Sequence, residues 1–231
     1  MKITKIEWQK KKKDWVNIFA DNKFLVSLPA DDVARYALAK DQELTDERLQ
    51  TIIGKSRYGK LLNAALHFFS YRQRTEWEIR QYLNKKLRNE KGEMRNEQKD
   101  NEEGLLLIET VVDKLRQLDL IDDQKFAKTY RDEKRRIASP KGDRAIKSEL
   151  LRKGIDKKII DEQLGKNEET KEISQLSLAR TALQKRIKYK VLSNKGNERL
   201  KEKAKLLRYL SGRGFDYDTA YKVIEEVFGR E

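Results

Sequence analysis

The chain has 231 residues, of which 40% are charged and 37% hydrophobic, and about a quarter are Leu, Ile, Val or Phe, which is enough for a folded core. It contains no cysteine, which excludes disulfides and thiolate metal sites, and no apolar run approaches the roughly 18 residues of a membrane span. The net charge of +14 predicts a polyanionic partner, and residues 124–231 carry most of it, with 29 Lys and Arg against 17 Asp and Glu. We therefore expect a soluble, cytoplasmic protein without a membrane segment.

Residues 1–59 differ in pattern from the rest of the chain. The segments "KITKIEW", "DWVNIFA" and "FLVSL" alternate apolar and polar residues, which predicts three short strands, and Asp21-Asn22 lies where a hairpin turn would connect two of them. Two short helices are expected after the strands, near Ala30–Ala39 and Asp46–Gly54. This N-terminal segment is therefore predicted to be a β-meander followed by short helices.

From Lys60 onward the apolar residues recur every three or four positions, which predicts helices. Three segments resemble one another: "EIRQYLNKKL" (78–87), "AIKSELLRKGI" (145–155) and "KLLRYLSGRGF" (205–215). Gly154 and Gly214 occupy the same position in the last two segments, and a glycine there suits the end of a helix. We interpret the three segments as the second helix of a three-helix repeat that occurs at 60–123, 124–164 and 165–231.

Polar segments interrupt the repeats. Residues 88–104, "RNEKGEMRNEQKDNEEG", contain one Met and no other large apolar residue, so we expect a flexible insertion in the first repeat. The third repeat is expected to begin with a long helix, roughly Glu172 to Leu192, after the polar joint "GKNEET" at 165–170. The predicted fold class is mainly α: three tandem three-helix repeats in an elongated array, with a small N-terminal β-containing segment.

Two adjacent carboxylates, Asp122 and Asp123, lie between two apolar-periodic runs in "LDLIDDQKFAKTYRDEKRR", residues 118–136. At such a position they would cap the next helix, whereas a metal or acid–base site would need further carboxylate or His ligands at suitable spacing. No such cluster is evident nearby, so we favour the cap. An unrecognised enzyme that uses the acid pair stays open as an alternative.

The remaining candidates for chemistry also have structural explanations. "TEWE", Thr75 to Glu78, has the spacing of a capping box, in which the Thr hydroxyl and the Glu carboxylate satisfy each other's backbone donors. The single histidine, His67, is interpreted as a partly buried helix residue rather than a catalytic base, since no nucleophile motif accompanies it. The phosphate-binding, dinucleotide-binding, zinc-protease and esterase motifs are missing from the sequence. We therefore expect no enzyme, metal or cofactor.

Basic residues of the second and third repeats are better candidates for function. They recur at spacings of three and four, which places them along helix faces. The residues are Arg131, Lys134, Arg135, Arg136, Lys141, Arg144, Lys147, Arg180, Lys185, Arg186, Lys188 and Lys190. Each could belong to a solvated helix face, but together they favour binding to phosphate or to an acidic protein surface. Few aromatic residues lie outside the predicted core, so sequence-specific reading of single strands is not indicated.

Three stretches together resemble the RecX family of bacterial regulatory proteins: "ALHFFSYRQRTEWEIRQYL" (65–83), "LRQLDLIDDQKFAKTY" (115–130) and "PKGDRAIKSELLRKGI" (140–155). The resemblance covers about Lys60 to Leu164 well and the third repeat more loosely. The insertion at 88–104 departs from the family pattern, and the N-terminal β-containing segment is typical only of its longer members. Neither segment is therefore assigned a role by analogy.

The resemblance implies three tandem three-helix repeats and a non-enzymatic function in DNA repair and the SOS response. Family members bind the RecA recombinase, especially its filament on DNA, and usually inhibit its ATP hydrolysis, its strand exchange and its coprotease action on the LexA repressor. It adds Arg72 and Arg74 to the basic residues that would contact RecA or single- or double-stranded DNA, with the protein acting as a monomer. The alternative is a general helical nucleic-acid-binding protein, whose paired helices act like helix-turn-helix units without RecA.

Overall fold

The computed structural model describes residues 1–10, 13–90, 99–165, 168–187 and 196–229. Three strands and ten helices lie within these ranges. The chain divides into two units, Met1–Tyr71 with Tyr82–Asp113, and Arg72–Gln81 with Lys114–Glu231. The predicted fold class, mainly helical with a small N-terminal sheet, is confirmed. No helix in the described ranges is both long enough and apolar enough to cross a membrane.

The three strands form the predicted antiparallel meander. They are β1 (Ile3–Trp8), β2 (Trp15–Ala20) and β3 (Lys23–Pro29), in the order β1-β2-β3. Asp21 and Asn22 both have positive φ, 48° and 61°, as the favoured two-residue hairpin turn requires, so the predicted turn is confirmed. One face of the sheet is buried, and Ile3, Ile18 and Leu28 are its least exposed residues.

The two helices after the sheet have different ends from those predicted. α1 (Ala30–Arg35) is shorter, because the chain leaves the helix through Ala37 at a φ of 48°. α2 (Asp46–Ser70) does not end at Gly54 but continues for 25 residues. A glycine ends a helix only where the backbone turns left-handed, and Gly54 has helical neighbours on both sides. The predicted boundary between residues 59 and 60 therefore falls inside one helix.

Eight further helices follow. They are α3 (Glu76–Glu90), α4 (Lys99–Gln117), α5 (Asp123–Arg136), α6 (Asp143–Arg152), α7 (Lys157–Leu164), α8 (Glu168–Ile187), α9 (Gly196–Gly212) and α10 (Tyr217–Phe228). The segment 88–104, predicted to be a flexible insertion, is helical at both ends, and residues 91–98 lie outside the described residues. The long helix predicted at 172–192 corresponds to α8, and its last five residues also lie outside the described residues.

The register inferred between the repeats is confirmed by burial. Six apolar residues aligned from the sequence are at most 2% exposed: Ile79, Leu83, Ile146, Leu150, Leu206 and Leu210. Gly154 and Gly214 have positive φ, 76° and 88°, and each ends a helix as predicted. The residue after each glycine, Ile155 or Phe215, donates its N–H back to the carbonyl five positions earlier and is buried.

The second unit contains two clusters of buried apolar residues. Phe126, Ala127, Ile146, Leu150 and Ile160 pack together and join α5, α6 and α7. A second cluster joins α8, α9 and α10, and it includes Leu183, Leu210, Phe215, Val223 and Phe228. Each set of three helices therefore has its own core, as expected for repeats that each bury one apolar face.

Two helix junctions within the second unit use equivalent positions of the repeat. At the α3–α6 junction, the Thr75 hydroxyl before α3 donates to the carbonyl of Lys153, 2.6 Å away. At the α6–α9 junction, the Gly142 N–H before α6 donates to the carbonyl of Arg213, 2.9 Å away. In both, the accepting carbonyl directly precedes the left-handed glycine that ends the other helix. The first junction therefore positions α6 relative to the start of α3, and the second positions the start of α6 relative to the end of α9.

Candidate binding surface

The two adjacent carboxylates cap two different helices. Asp122 accepts the N–H of Lys125 at 2.8 Å and begins α5, so the predicted cap is confirmed. Asp123 instead accepts the N–H of Glu76 at 3.1 Å, in the first turn of α3. Burial raises the pKa of Asp123, and the neighbouring charges of Glu76 and Asp122 add to the effect. No group of three His, Asp or Glu side chains within the described ranges is arranged to hold a metal ion.

The predicted capping box is present at the start of α3. The Thr75 hydroxyl accepts the N–H of Glu78 at 3.2 Å, and the Thr75 N–H donates to the Glu78 carboxylate at 3.4 Å. The same carboxylate receives both arms of the Arg72 guanidinium, at 2.9 and 3.0 Å, and the Lys153 ammonium at 3.4 Å. Although burial opposes it, these hydrogen bonds and charges lower the pKa of Glu78. Glu78 is therefore an ionised anchor for two cations.

A cleft of about 450 Å³ lies beside this anchor and is called the α5 cleft here. Its lining residues are Arg72, Gln73, Phe126, Thr129, Tyr130, Glu133, Lys134 and Lys153. The rings of Phe126 and Tyr130 are stacked with centroids 6.0 Å apart, and the Lys153 ammonium lies 5.6 Å from each centroid. The Lys134 ammonium is 4.9 Å from the centroid of Tyr130. The cleft thus combines aromatic surface with three cations.

The predicted basic face of α5 is partly neutralised by neighbouring acids. Arg131 pairs with Asp132 at 2.7 Å and also donates to the carbonyl of Gln163. Lys134 pairs with Glu133 at 3.0 Å. Arg136 is exposed and makes no ion pair with any residue in the described part of the chain. Of these three predicted residues, only Arg136 offers an uncompensated charge.

Arg135 serves the α6–α9 junction rather than the surface. Its guanidinium donates to the Asp143 carboxylate at 2.7 Å, and Asp143 is only 8% exposed. Gln175 binds the same residue twice, donating to the carboxylate at 2.9 Å and accepting the Asp143 N–H at 3.1 Å. An ion pair with a buried carboxylate is costly to break, so the half-buried Arg135 is held at this junction.

The predicted cations on and just before α6 divide in the same way. Lys141 pairs with Glu149, and Lys147 pairs with Asp161 on α7. Arg144 is exposed and makes no ion pair among the described residues. Arg144 therefore resembles Arg136 in being exposed and without an ion pair, although its charge also acts on the nearby Asp216 carboxylate.

In the third repeat, Arg180 forms a two-point ion pair with Glu226, at 2.6 and 2.7 Å. Lys185 is exposed and has no ion pair within the described residues, while the exposed Arg186 guanidinium lies 5.4 Å from the ring centroid of Tyr209. Two further predicted residues lie outside the described residues, Lys188 and Lys190. The described ranges thus leave four predicted cations exposed and without an ion pair. Arg186 lies over a ring, and the other three, Arg136, Arg144 and Lys185, make neither an ion pair nor a ring contact there.

Arg74 lies just before α3, and His67 lies in the last turn of α2. Arg74 is half-buried, and burial together with the charge of Arg72 lowers the pKa of its guanidinium. His67 is exposed, so the prediction of a partly buried side chain is wrong. It lies two positions after the buried Ala65, which on a helix is the opposite face, and its ring meets Tyr71 edge-on at 5.2 Å.

Sequence reasoning from the basic residues missed most of the α5 cleft. Lys153, Phe126 and Tyr130 were not among the residues predicted to contact a partner. The one local signal is the aromatic pair four residues apart with Lys134 four residues further on, which places all three along one side of α5. The approach of Arg72 and Lys153 depends on the α3–α6 junction, which joins residues 78 positions apart.

Family models match three parts of the chain. Residues 1–45 match the regulatory protein RecX N-terminal domain, residues 122–164 the second three-helix domain of RecX, and residues 174–224 its third three-helix domain. The last two matches fall on α5 to α7 and on α8 to α10, the two helix sets that have separate cores.

Relatives match over nearly the whole chain. A regulatory protein RecX of Clostridium acetobutylicum is 34% identical over 226 residues, which cover 98% of this chain and 96% of that protein. One from Listeria monocytogenes serotype 4a is 33% identical over 95% of this chain and 73% of its own. A crystal structure of regulatory protein RecX superimposes with a TM-score of 0.58 at 25% identity, covering 100% of this chain and 99% of the other. The crystal structure of RecX from Lactobacillus salivarius gives 0.51 at 26% identity, over 74% and 96%.

Proposed function

Because this chain belongs to the RecX family of regulatory proteins, we propose that it binds the RecA recombinase, above all as a filament on DNA, and inhibits it. The observation that carries the proposal is the match to regulatory relatives along 98% of the chain. The protein acts as a cytoplasmic, non-enzymatic monomer in DNA repair and the SOS response. Binding lowers RecA ATP hydrolysis, strand exchange and coprotease activity.

The exposed cations Arg136, Arg144 and Lys185 support this proposal. None of them makes an ion pair with the described residues, so each can meet a phosphate or a carboxylate without breaking an existing contact. Their long side chains are already in water, and a partner's negative charge attracts them over about a Debye length. They are therefore better placed to contact the filament than the neutralised cations Arg131 and Arg180.

The alternative, a general nucleic-acid-binding protein of helix-turn-helix type, is supported less well. In that class, the helix that enters the DNA groove carries residues that contact phosphates and base edges. α7 contains two lysines and two acids, Asp161 and Glu162, so it has no net charge. α10 contains one lysine, Lys222, and three acids, Asp218, Glu225 and Glu226, so it is negatively charged. Helices with no positive surplus are poorly suited to approach the phosphates of a duplex.

Titration of RecA ATPase activity on single-stranded DNA tests the proposal. Wild-type protein should inhibit at stoichiometric amounts. The triple variant Arg136→Glu, Arg144→Glu and Lys185→Glu should need about tenfold more protein for the same inhibition, a loss of about 1.4 kcal/mol of binding free energy. The control is Lys23→Glu, Lys40→Glu and Lys55→Glu, which makes the same charge change at exposed residues of the first unit and should inhibit like wild type.

Two outcomes would contradict the proposal. No inhibition by wild-type protein at stoichiometric amounts would remove RecA as the partner. Binding to naked duplex at moderate salt as tightly as to the RecA–DNA filament would favour the general nucleic-acid-binding alternative.

A further inference from the structure

We propose that the α5 cleft binds an acidic protein segment that carries an apolar side chain. The inference rests on the proposed function, since the segment would belong to the RecA filament. The cleft offers aromatic surface from Phe126 and Tyr130 and cations from Arg72, Lys134 and Lys153. An apolar side chain packs against the edges of the rings, beside the lysine side chains, while neighbouring carboxylates meet the cations at the rim.

The cations of the cleft are held in place before any ligand arrives. Glu78, with its side chain 14% exposed, fixes the Arg72 guanidinium at two points and holds the Lys153 ammonium. Lys134 and Lys153 have only 21% and 24% of their side chains exposed, and their ammonium groups lie over the aromatic rings. Side chains that are already ordered lose little entropy on binding, which favours affinity.

The charge of the cleft is also incompletely balanced. One half-buried carboxylate, Glu78, faces the two cations Arg72 and Lys153, which leaves one positive charge in excess. Lys134 is compensated by Glu133, whose side chain is 61% exposed. A surface ion pair of this kind contributes at most about 1 kcal/mol, so a ligand carboxylate exchanges with Glu133 at little cost. The cleft therefore presents a net positive charge to an incoming anion.

The arrangement favours a protein segment over nucleic acid. Stacking of a base needs an open aromatic face, and Lys134 and Lys153 lie over the faces of Tyr130 and Phe126. A phosphate backbone is bound by a row of exposed cations, whereas these two lysines are mostly covered. A concave site that combines aromatic side chains with a few ordered charges suits a single side chain and its neighbours better than a nucleic-acid backbone.

A direct binding measurement tests the proposal. The probe is a fluorescent synthetic peptide of Asp, Glu and Leu, compared with its Asn, Gln and Leu counterpart and with an oligothymidylate. Wild-type protein should bind the acidic peptide more tightly than the neutral one. The variant Lys134→Gln should weaken acidic-peptide binding several-fold, and Lys134→Gln with Arg72→Gln should weaken it about tenfold, with oligothymidylate binding little changed.

Lys157→Gln with Lys158→Gln, two exposed residues on α7, is the matched control and should bind the peptide like wild type. Because Arg72 supports the α3 cap, thermal melting of each variant accompanies the titration, and Lys134→Gln alone carries the conclusion if the double variant melts early. Equal peptide affinity in wild type and Lys134→Gln would overturn the inference. An equal loss of oligothymidylate and peptide binding would replace the protein segment by nucleic acid.

The same variants separate this inference from the proposed function. If wild-type protein does not bind RecA filaments, the proposed function fails, whatever the peptide shows. If wild-type protein binds filaments and Lys134→Gln binds them equally well, the cleft is not the contact and only the inference fails.

Discussion

The α3–α6 and α6–α9 junctions have the same backbone plan but different chemistry. In the first, the Thr75 side chain bridges to the Lys153 carbonyl, so a hydroxyl separates the two helices. In the second, Gly142 has no side chain and its own N–H reaches the Arg213 carbonyl. A Cβ on Gly142 would lie 2.4 Å from the Gly214 carbonyl oxygen, which shows how closely the backbones approach. One repeat geometry is thus achieved by a side-chain bridge and by direct backbone contact.

The side chains that accept the first N–H of α3 and the first N–H of α6 differ in charge. At the α3–α6 junction the Glu76 N–H is accepted by the Asp123 carboxylate, and at the α6–α9 junction the Asp143 N–H is accepted by the Gln175 amide. The ionised acceptor lies in a half-buried site, and the neutral acceptor lies in a site that is 4% exposed. Because burial penalises charge, the neutral amide suits the tighter junction.

The substitution Gly214→Ala should produce the largest effect, because it breaks the close junction. The residue has a φ of 88°, and a Cβ there would lie 2.2 Å from the backbone nitrogen of Ala145. Left-handed strain and overpacking together should lower the free energy of unfolding by about 3 kcal/mol or more, measured by urea denaturation.

Gly212→Ala is the matched control, two residues earlier and with no atom within 4 Å of its Cβ position. It should leave the stability unchanged or raise it by up to about 1 kcal/mol, since alanine favours helix over glycine. If the two variants were equally stable, the close approach at Gly214 would not contribute to the junction.

The substitution Gln175→Glu should have an intermediate effect, because it gives the tight junction the charged acceptor of the other one. The new carboxylate would replace the Gln175 amide group, which donates to the Asp143 carboxylate at 2.9 Å. Both residues are buried, so the two carboxylates would repel each other with little screening by solvent. We expect a loss of about 2–3 kcal/mol at pH 7 that shrinks as pH falls and the new acid is protonated. The loss is measured by urea denaturation of the variant and of wild type at pH 7 and at a series of lower pH values.

Gln184→Glu makes the same charge change at an exposed position of α8 and should shift stability by less than about 0.5 kcal/mol. A loss at Gln175→Glu that stayed constant down to low pH would point to a packing defect rather than to charge repulsion.

Features that depend on neighbours within about one helical turn were predictable from the sequence. The Thr75 capping box, the Asp122 cap and the left-handed glycines Gly154 and Gly214 all belong to this class, because their patterns extend over only a few residues. The end of α2 was mispredicted because Gly54 resembles a stop signal, although Ile52, Leu61 and Ala65 are buried on one continuous helix.

The candidate site was less predictable, because its contacts join distant parts of the chain. The sequence does not reveal which acid pairs with a given basic residue. Arg180 and Glu226, for example, form an ion pair although they are 46 positions apart. Spacing alone therefore could not separate the exposed Arg136 from the half-buried, ion-paired Arg135, although they are adjacent. The α5 cleft was missed for the same reason, since Arg72 reaches it only through the α3–α6 junction.

The smallest expected effect is that of Asp123→Asn, which gives the α3–α6 junction the neutral acceptor of the α6–α9 junction. Asparagine keeps an oxygen for the Glu76 N–H and removes the repulsion from Glu76 and Asp122. The pKa of Asp123 is raised above its ordinary value of 3.8 in the folded protein, so the folded state holds this proton more tightly than the unfolded state. Ionisation of Asp123 therefore lowers stability as pH rises through the window from 3.8 to the raised pKa, and the loss persists above it.

The variant should accordingly be as stable as wild type or more stable at pH 7, by less than about 1 kcal/mol because solvent screens a half-buried carboxylate. The difference should close as pH falls toward 3.8, where wild-type Asp123 is protonated as well. Urea midpoints of both proteins across this range measure it, and the acids common to both cancel in the comparison. A variant that is less stable at pH 7 would show instead that attraction between the Asp123 charge and the N-terminus of α3 exceeds the cost of burying it.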